Sequence, residues 1–239
     1  MKAIILAAGR GSRMGSITNE HPKCLTLVQG KTLIDRQITS LTEAALYDIG
    51  LVVGYKAEML TGYGSRQFHN ANWSNTNMVA SLACAKDWLD TDDCIVSYSD
   101  IFYDPRVVKK LIHSKDDIAI SYDPNWLSLW SRRFENPLED AETFLIDNDE
   151  FVTEIGRKTS SLDHIQGQYM GLLKFSKGTF HKCLETIRNL DSDLDKIDMT
   201  SFLNTLVKKH VKIKAIPNYY PWGECDTQHD LKILNQGRL

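Results

Sequence analysis

The apolar run at residues 3–8 (AIILAA) passes without a spacer into Gly9-Arg10-Gly11-Ser12-Arg13, and this junction restricts the fold more than any other stretch. A run with no polar face suits a strand covered on both sides, as in a parallel sheet flanked by helices. Two glycines one residue apart open torsions closed to other residues, so successive amide N–H groups can turn toward an anion, and the arginines add bidentate donors. A plain loop between strand and helix is the other reading of Gly9 and Gly11. Pro22 and Lys23 follow, a rigid turn and then a cation. A dinucleotide fingerprint would need a third glycine where Met14 stands, and a P-loop ending in Gly30-Lys31-Thr32 would need glycine where Leu25 stands. Residues 30–32 therefore read as a turn into a helix.

The rest of the chain continues the alternation of strand and helix. Residues 32–46 carry Leu33, Ile34, Ile38, Leu41 and Ala45 at helical spacing, and residues 49–53 form a second apolar strand. Strand, helix, strand in that order makes a parallel unit, in which ligands bind at the carboxyl ends of strands. A polar stretch at 62–76 leads to a predicted helix over 77–89, where Asn75, Thr76 and Asn77 are natural N-caps. Residues 94–100 read as a strand ending in Asp100, well placed to hold a hard cation against a triphosphate, unless it is only a surface carboxylate closing a strand. A helix over 104–113 and a strand over 118–122 come next. Residues 126–143 then mix tryptophans, Arg132-Arg133 and a run of acids, either a pocket for a small zwitterion or a solvated loop with Trp126 and Trp130 tucked inward. A hairpin over 143–155, a strand over 168–175, helices over 177–190 and 199–210, a strand over 211–216 and a closing helix complete the reading. The fold class is α/β, a doubly wound, mainly parallel (Rossmann-like) sheet with a small antiparallel lid region at roughly 124–170. Nothing resembles a linker, so residues 1–239 read as one domain.

Composition narrows the partners. A net charge of −3, with 42% hydrophobic and 25% charged residues, gives no general attraction to nucleic acid or to an anionic membrane. The apolar start is too short for a signal peptide and no stretch could span a bilayer, so a cytoplasmic location is expected. Five scattered cysteines without a CxxC pair read as reduced thiols, and the seven histidines show no metal spacing.

Leu6-Ala7-Ala8-Gly9, Gly11, Arg13-Met14, Thr18 and Pro22-Lys23 resemble, in order and spacing, the signature of the nucleotidyltransferases that activate sugar phosphates and phosphocholine. One departure is Ser16-Ile17 where the family places Pro-Leu before the threonine. The resemblance implies transfer of a nucleotidyl group to a phosphorylated acceptor with release of pyrophosphate and Mg2+ as cofactor. It makes Arg13 and Lys23 the catalytic cations, places the nucleotide on Leu6, Ala7, Ala8, Gly9 and Gly11, and assigns the metal to Asp100 and, from the closing Glu-x-Asp-Thr element, to Asp226 with Glu224 as its neighbour. Asn75, Asn77 and Ser81 are implied nucleotide contacts, with capping as the structural alternative for the asparagines.

Residues 130–143 resemble the cytidylyltransferases that act on small amine-bearing phosphates. That implies CTP as the nucleotide, a phosphoglutamine, phosphocholine or aminoethylphosphonate acceptor, and a setting in capsule or surface-polysaccharide modification. Candidate acceptor contacts are Trp130, Arg132, Arg133, Glu139, Asp140, Lys158 and Gly171, the paired arginines favouring an acceptor with a carboxylate; Lys158 could equally be a solvated turn. A sugar-1-phosphate nucleotidyltransferase is the alternative within the class, and a non-catalytic nucleotide-binding module lies outside it.

Overall fold

The computed structural model describes residues 1–188 and 194–237. In chain order the elements are β1 (Lys2–Ala7), β2 (Leu27–Val28), β3 (Lys31–Thr32), α1 (Leu33–Glu43), β4 (Ile49–Val53), β5 (Arg66–His69), α2 (Met78–Ala83), α3 (Lys86–Thr91), β6 (Cys94–Tyr98), β7 (Ile101–Tyr103), α4 (Pro105–His113) and β8 (Ile118–Asp123). The second half adds α5 (Trp126–Arg133), β9 (Glu142–Ile146), β10 (Val152–Lys158), β11 (Gln168–Phe175), α6 (Thr179–Arg188), α7 (Met199–Lys208), β12 (Lys214–Pro217), β13 (Trp222–Glu224) and α8 (Gln228–Asn235).

A seven-stranded sheet runs in the order β12-β8-β11-β6-β1-β4-β5. Every pairing is parallel except those of β11, which lies antiparallel between β6 and β8. The sheet explains the apolar run that opens the chain. Ile4 and Leu6 face one core with α2, α3, α6 and α7, while Ala3, Ile5 and Ala7 face the other with α1, α4 and α5. Both faces are covered, and the buried positions Ala3–Ala7 of β1 are all apolar, with the half-buried Lys2 at the strand's start.

The chain leaves β1 for β4 and β5 on one side, then crosses back to β6 on the other. This reversal opens a crevice between the carboxyl ends of β1 and β6, where ligands bind in open sheets. Leu6 lies opposite Tyr98 in that ladder, which puts Gly9–Arg13 and Asp100 at one edge. A two-stranded antiparallel sheet, β7 with β13, then carries the end of the chain to the same place. Glu224 pairs with Ile101, and the Cys225 amide donates to the Asp100 carbonyl at 2.8 Å. The last anchor is a small cluster of Met14, Val28, Leu33, Cys225 and Leu234 that clamps the opening loop against α8.

Several predicted elements differ in extent. The helix expected over 77–89 is two, α2 and α3, broken at Cys84 and Ala85, where Ala85 leaves the helical region (φ −95°, ψ 19°). Ala45, placed on the buried stripe of α1, has φ +65° and stands outside that helix. The expected helix over 177–190 runs Thr179–Arg188, and residues 189 and 190 lie outside the described part of the chain. The strand expected over 211–216 is Lys214–Pro217, and residues 126–133 are a helix instead of a loop. β9 and β10 form the expected hairpin, with register shifts along it. Among the described residues no helix is long and apolar enough to cross a membrane.

Candidate active site

The loop after β1 is shaped by two glycines. Gly11 takes φ +72° and Gly15 φ +62°, both open to glycine at little cost. At Gly11 there is a second reason: a Cβ would stand 2.6 Å from Cδ of Lys23, so a side chain here would displace the lysine. The buried Thr18 hydroxyl donates to the Gly11 carbonyl at 3.2 Å, and the Tyr55 hydroxyl donates to the Thr18 carbonyl at 2.8 Å. The loop is thus held from within and from β4's side.

Lys23 follows Pro22 in a short 3-10 turn and is buried. Its ammonium bridges Asp100 at 2.7 Å and Asp226 at 2.5 Å, and Arg13 reaches the other oxygen of Asp226. Burial alone would push the Lys23 pKa down. The two carboxylates more than offset it and hold the ammonium above its ordinary value.

Asp100, Glu224 and Asp226 each offer an oxygen within 4.8 Å of the others. Glu224 is pushed up to about 7, first by burial and further by the charges of Asp100 and Asp226, against the pull of Arg133. Oδ1 of Asp100 is buried without a hydrogen-bond partner. An orphaned carboxylate oxygen inside an all-oxygen cluster fits a hard divalent cation.

The Arg133 guanidinium stands behind this cluster. Its side chain is 3% exposed; Nε meets Asp230 at 2.8 Å and Nη1 meets Glu224 at 2.7 Å. Asp230 in turn accepts the amides of Asp226 at 3.0 Å and Thr227 at 2.8 Å and closes the capping box of α8. Burial opposes ionisation of Asp230, but Arg133 and the Thr227 donors hold its carboxyl below the usual range. One buried cation therefore fixes two of the carboxylates around Asp226.

Leu6, Gly9, Gly11, Arg13, Lys23, Asp100 and Asp226 line one cavity of about 250 Å3, together with Met78, Tyr98 and Ser99. Ala7 and Ala8, also expected to hold the nucleotide, are buried and do not line it. The contacts expected from Asn75, Asn77 and Ser81, before and on α2, do not line it. Asn77 caps α2 and donates to the Lys196 carbonyl at 3.1 Å, Asn75 bonds Asn72 at 2.9 Å, and Ser81 is buried against Asn70 at 3.0 Å. Met78 reaches the cavity instead.

The acceptor set is scattered, and two of its members are corrected. Trp130 is buried, its indole donating to Asp140 at 3.0 Å and its ring facing Trp126 and Trp222. Arg133 is buried and engaged with Asp230 and Glu224, so both side chains are taken up by the protein's own groups. Arg132 borders a separate cavity of about 310 Å3 with Asp123, Asn125 and Tyr220. Lys158 donates to the carbonyls of Glu139 at 3.2 Å and Asp140 at 3.3 Å. Gly171, at φ +76°, lies directly beneath the Tyr98 ring. Tyr98, Arg133 as a support and Asp230 escaped the sequence reading. The position of Tyr98, two residues before Asp100 on the strand, was the available signal for the first.

Over 98% of both chains the sequence is 38% identical to the CTP:phosphoglutamine cytidylyltransferase of Campylobacter jejuni subsp. jejuni. It is 41% identical to the choline-phosphate cytidylyltransferase of Streptococcus pneumoniae, over 37% of this chain and 41% of that one. Among solved structures it resembles the inositol-1-phosphate CTP transferase from T. maritima, with TM-score 0.76, 19% identity and coverage of 98% and 95%. It also resembles the CTP:phosphocholine cytidylyltransferase of Streptococcus pneumoniae, with TM-score 0.75, 22% identity and coverage of 98% and 97%. At such identities the structural likeness speaks to the Rossmann-like α/β fold. Residues 3–150 match the MobA-like NTP transferase domain, and with more than half of the chain inside that match and a relative aligned end to end, this protein belongs to that family of nucleotidyltransferases.

Proposed function

We propose that this chain is a divalent-metal-dependent cytidylyltransferase that moves CMP from CTP to the phosphate or phosphonate oxygen of a small amine-bearing acceptor. The observation that carries this reading is the convergence of the Gly9–Gly11 turn, Arg13, Lys23, Asp100 and Asp226 on one cavity. End-to-end similarity to a CTP:phosphoglutamine cytidylyltransferase supports the choice of nucleotide and acceptor class.

In this reading the acceptor oxygen attacks the α-phosphorus of CTP, its new bond forms as the bond to the bridging oxygen breaks, and pyrophosphate leaves with that electron pair. The nucleophile is already an anion at neutral pH, so no general base is required, and the chain's work is to orient the reactants and offset charge. The amides around Gly9 and Gly11 and the Arg13 guanidinium hold the outer phosphates. Lys23, kept protonated by its carboxylates, donates hydrogen bonds where negative charge grows on the α-phosphoryl oxygens. Asp100, Asp226 and Glu224 would hold Mg2+, which when bound neutralises triphosphate charge. Arg133 fixes Glu224 and, through Asp230, the backbone at Asp226.

The test is pyrophosphate release over four nucleoside triphosphates crossed with 2-aminoethylphosphonate, phosphocholine, phosphoglutamine and glucose-1-phosphate, with and without EDTA. The expected result is release with CTP and an amine-bearing acceptor, abolished by EDTA. Release only with glucose-1-phosphate would make the chain a sugar nucleotidyltransferase, and no release with any pair would refute catalysis.

A further inference from the structure

The buried face of α1 carries one residue that packing alone does not call for. Gln37 stands among Leu33, Ile34 and Leu41 and is fully buried. It does not line the cavity around Lys23. Its side-chain amide reaches instead to the link between β6 and β7, which consists of Ser99 and Asp100. Nε2 donates to the Tyr98 carbonyl before the link at 2.8 Å and to the Ile101 carbonyl after it. The Tyr98 carbonyl also accepts the Ser97 hydroxyl at 2.9 Å, but among the described residues Gln37 is the one side chain that donates to both ends.

The chemistry of the amide explains the choice of residue. With oxygen and nitrogen exchanged, an acceptor would face two acceptors, so the partners fix which way the group points. That leaves Oε1 buried with no hydrogen-bond partner among the described residues, an arrangement that costs stability. Methionine would fill a similar space without that cost. Gln37 is therefore accounted for by its two donors, and those donors bracket Asp100. The closing segment holds the same residue from the other side, where the Asp100 carbonyl accepts the Cys225 amide at 2.8 Å. Tyr98, Ser99 and Asp100 all line the cavity, so a clamp on this link sets how the carboxylate is presented. One Asp100 oxygen meets Lys23 at 2.7 Å and the other is the orphaned Oδ1.

Resting on the nucleotidyl-transfer reading above, we infer that Gln37 is a positioning residue for the metal site: by tying Tyr98 to Ile101 it holds the Asp100 carboxylate in place beside Glu224 and Asp226. It acts through the backbone of the link and touches neither nucleotide nor acceptor. Ser40, one turn further along α1, supplies the comparison. It donates to the Tyr103 carbonyl at 2.6 Å, so it joins the same helix to the same strand without bracketing Asp100.

Mn2+ titration followed by the electron paramagnetic resonance of the free ion tests this, with α,β-methylene-CTP present and a protein-free blank for the metal that the analogue holds alone. Gln37→Met is expected to bind Mn2+ about 10–100-fold more weakly than the wild type, the scale of losing a group that orients a metal ligand. Ser40→Ala should bind it as the wild type does. In turnover, Gln37→Met should lose kcat at low Mg2+ and regain it as Mg2+ is raised, with the KM for CTP at saturating metal unchanged; a purely structural role would not be rescued in this way. Gln37→Asn draws both donors back by one methylene and carries the same expected loss should the methionine variant not fold, and thermal melts report folding. Unchanged Mn2+ affinity in a folded Gln37 variant, an equal loss in Ser40→Ala, a wild type that binds no Mn2+, or failure of both Gln37 variants to fold would overturn the assignment. If Mn2+ affinity falls as expected while the wild type releases no pyrophosphate with any substrate pair, the positioning role stands and the catalytic reading fails.

Discussion

Replacing Arg133 by methionine removes the cation between Asp230 and Glu224 without emptying the space it fills. The native guanidinium is 3% exposed and lies 2.8 Å from Asp230 and 2.7 Å from Glu224, while the Asp230 side chain is 2% exposed. Breaking a buried ion pair from one side costs about 3–5 kcal/mol, because the remaining charge keeps its desolvation penalty and loses its partner. For a domain of this size each kcal/mol shifts the melting midpoint by about 2–4 °C, so the expected fall is roughly 6–20 °C. The acid limb carries a second signature. Asp230 has a lowered carboxyl pKa in the fold, against an ordinary value of 3.8. Its contribution is therefore present above that value and is lost as pH falls through the folded pKa. Without Arg133 the Asp230 carboxyl rises, and acid unfolding should begin at higher pH. Calorimetric melts of both proteins between pH 3 and 8, without added metal, read both effects. A fall of less than about 2 °C with an unchanged acid limb would refute the idea that Arg133 organises these carboxylates.

Three further outcomes follow from the same geometry. Lys23→Met should lower kcat for pyrophosphate release by about 10²–10³-fold, the usual cost of one lost donor at a developing charge; near wild-type turnover with saturating CTP and Mg2+ would remove Lys23 from the chemistry. Gly11→Ala meets both a left-handed backbone and Lys23, whereas a Cβ at Gly9 meets nothing within 4 Å. The Gly11 variant should lose about 1–2 kcal/mol and raise the KM for CTP, with Gly9→Ala much milder, and equal effects in melts and kinetics would contradict the close approach at Gly11. Of the five free cysteines four are buried and Cys84 is half-buried. Burial pushes Cys24, Cys94, Cys183 and Cys225 up to about 12, so a chromogenic disulfide reagent should titrate at most Cys84 in the native protein and all five in denaturant.

Much of the cavity around Lys23, proposed above to take the triphosphate, was legible because it is local. The apolar strand, the Gly9 and Gly11 spacing and the Pro22-Lys23 turn lie within one short stretch, and Asp100 follows closely on the apolar strand β6, in the turn before β7 and not at the strand's own end as expected. Joining Asp226 to them needed the resemblance, since only the β7–β13 pairing brings the closing segment to Asp100. The residues expected to contact an acceptor do not converge, because tertiary contacts decide where each side chain goes. Arg132 and Arg133 are neighbours in sequence, yet on α5 they diverge, one toward solvent and one into a buried pair with Asp230. The Tyr98–Tyr169 ring contact joins strands far apart in the chain and lying antiparallel in the sheet, so no local pattern announces it. The break between α2 and α3 was hidden because its apolar spacing continues across the kink at Ala85.

The interleaving of charges around Asp226 also bears on how nucleotide arrives. Lys23 and Arg13 face Asp226 and Asp100, and Arg133 faces Glu224 and Asp230, so cations and carboxylates alternate at close range and their long-range fields largely cancel. Steering by an uncompensated charge raises encounter rates by 10–10³-fold and is erased by salt. A pocket that carries its own counter-ions gains little from that effect. Stopped-flow association of CTP with Mg2+ should accordingly depend only weakly on ionic strength, and capture should be governed by exchange of partners at short range: phosphate oxygens taking over Lys23 and Arg13 as those cations release Asp226.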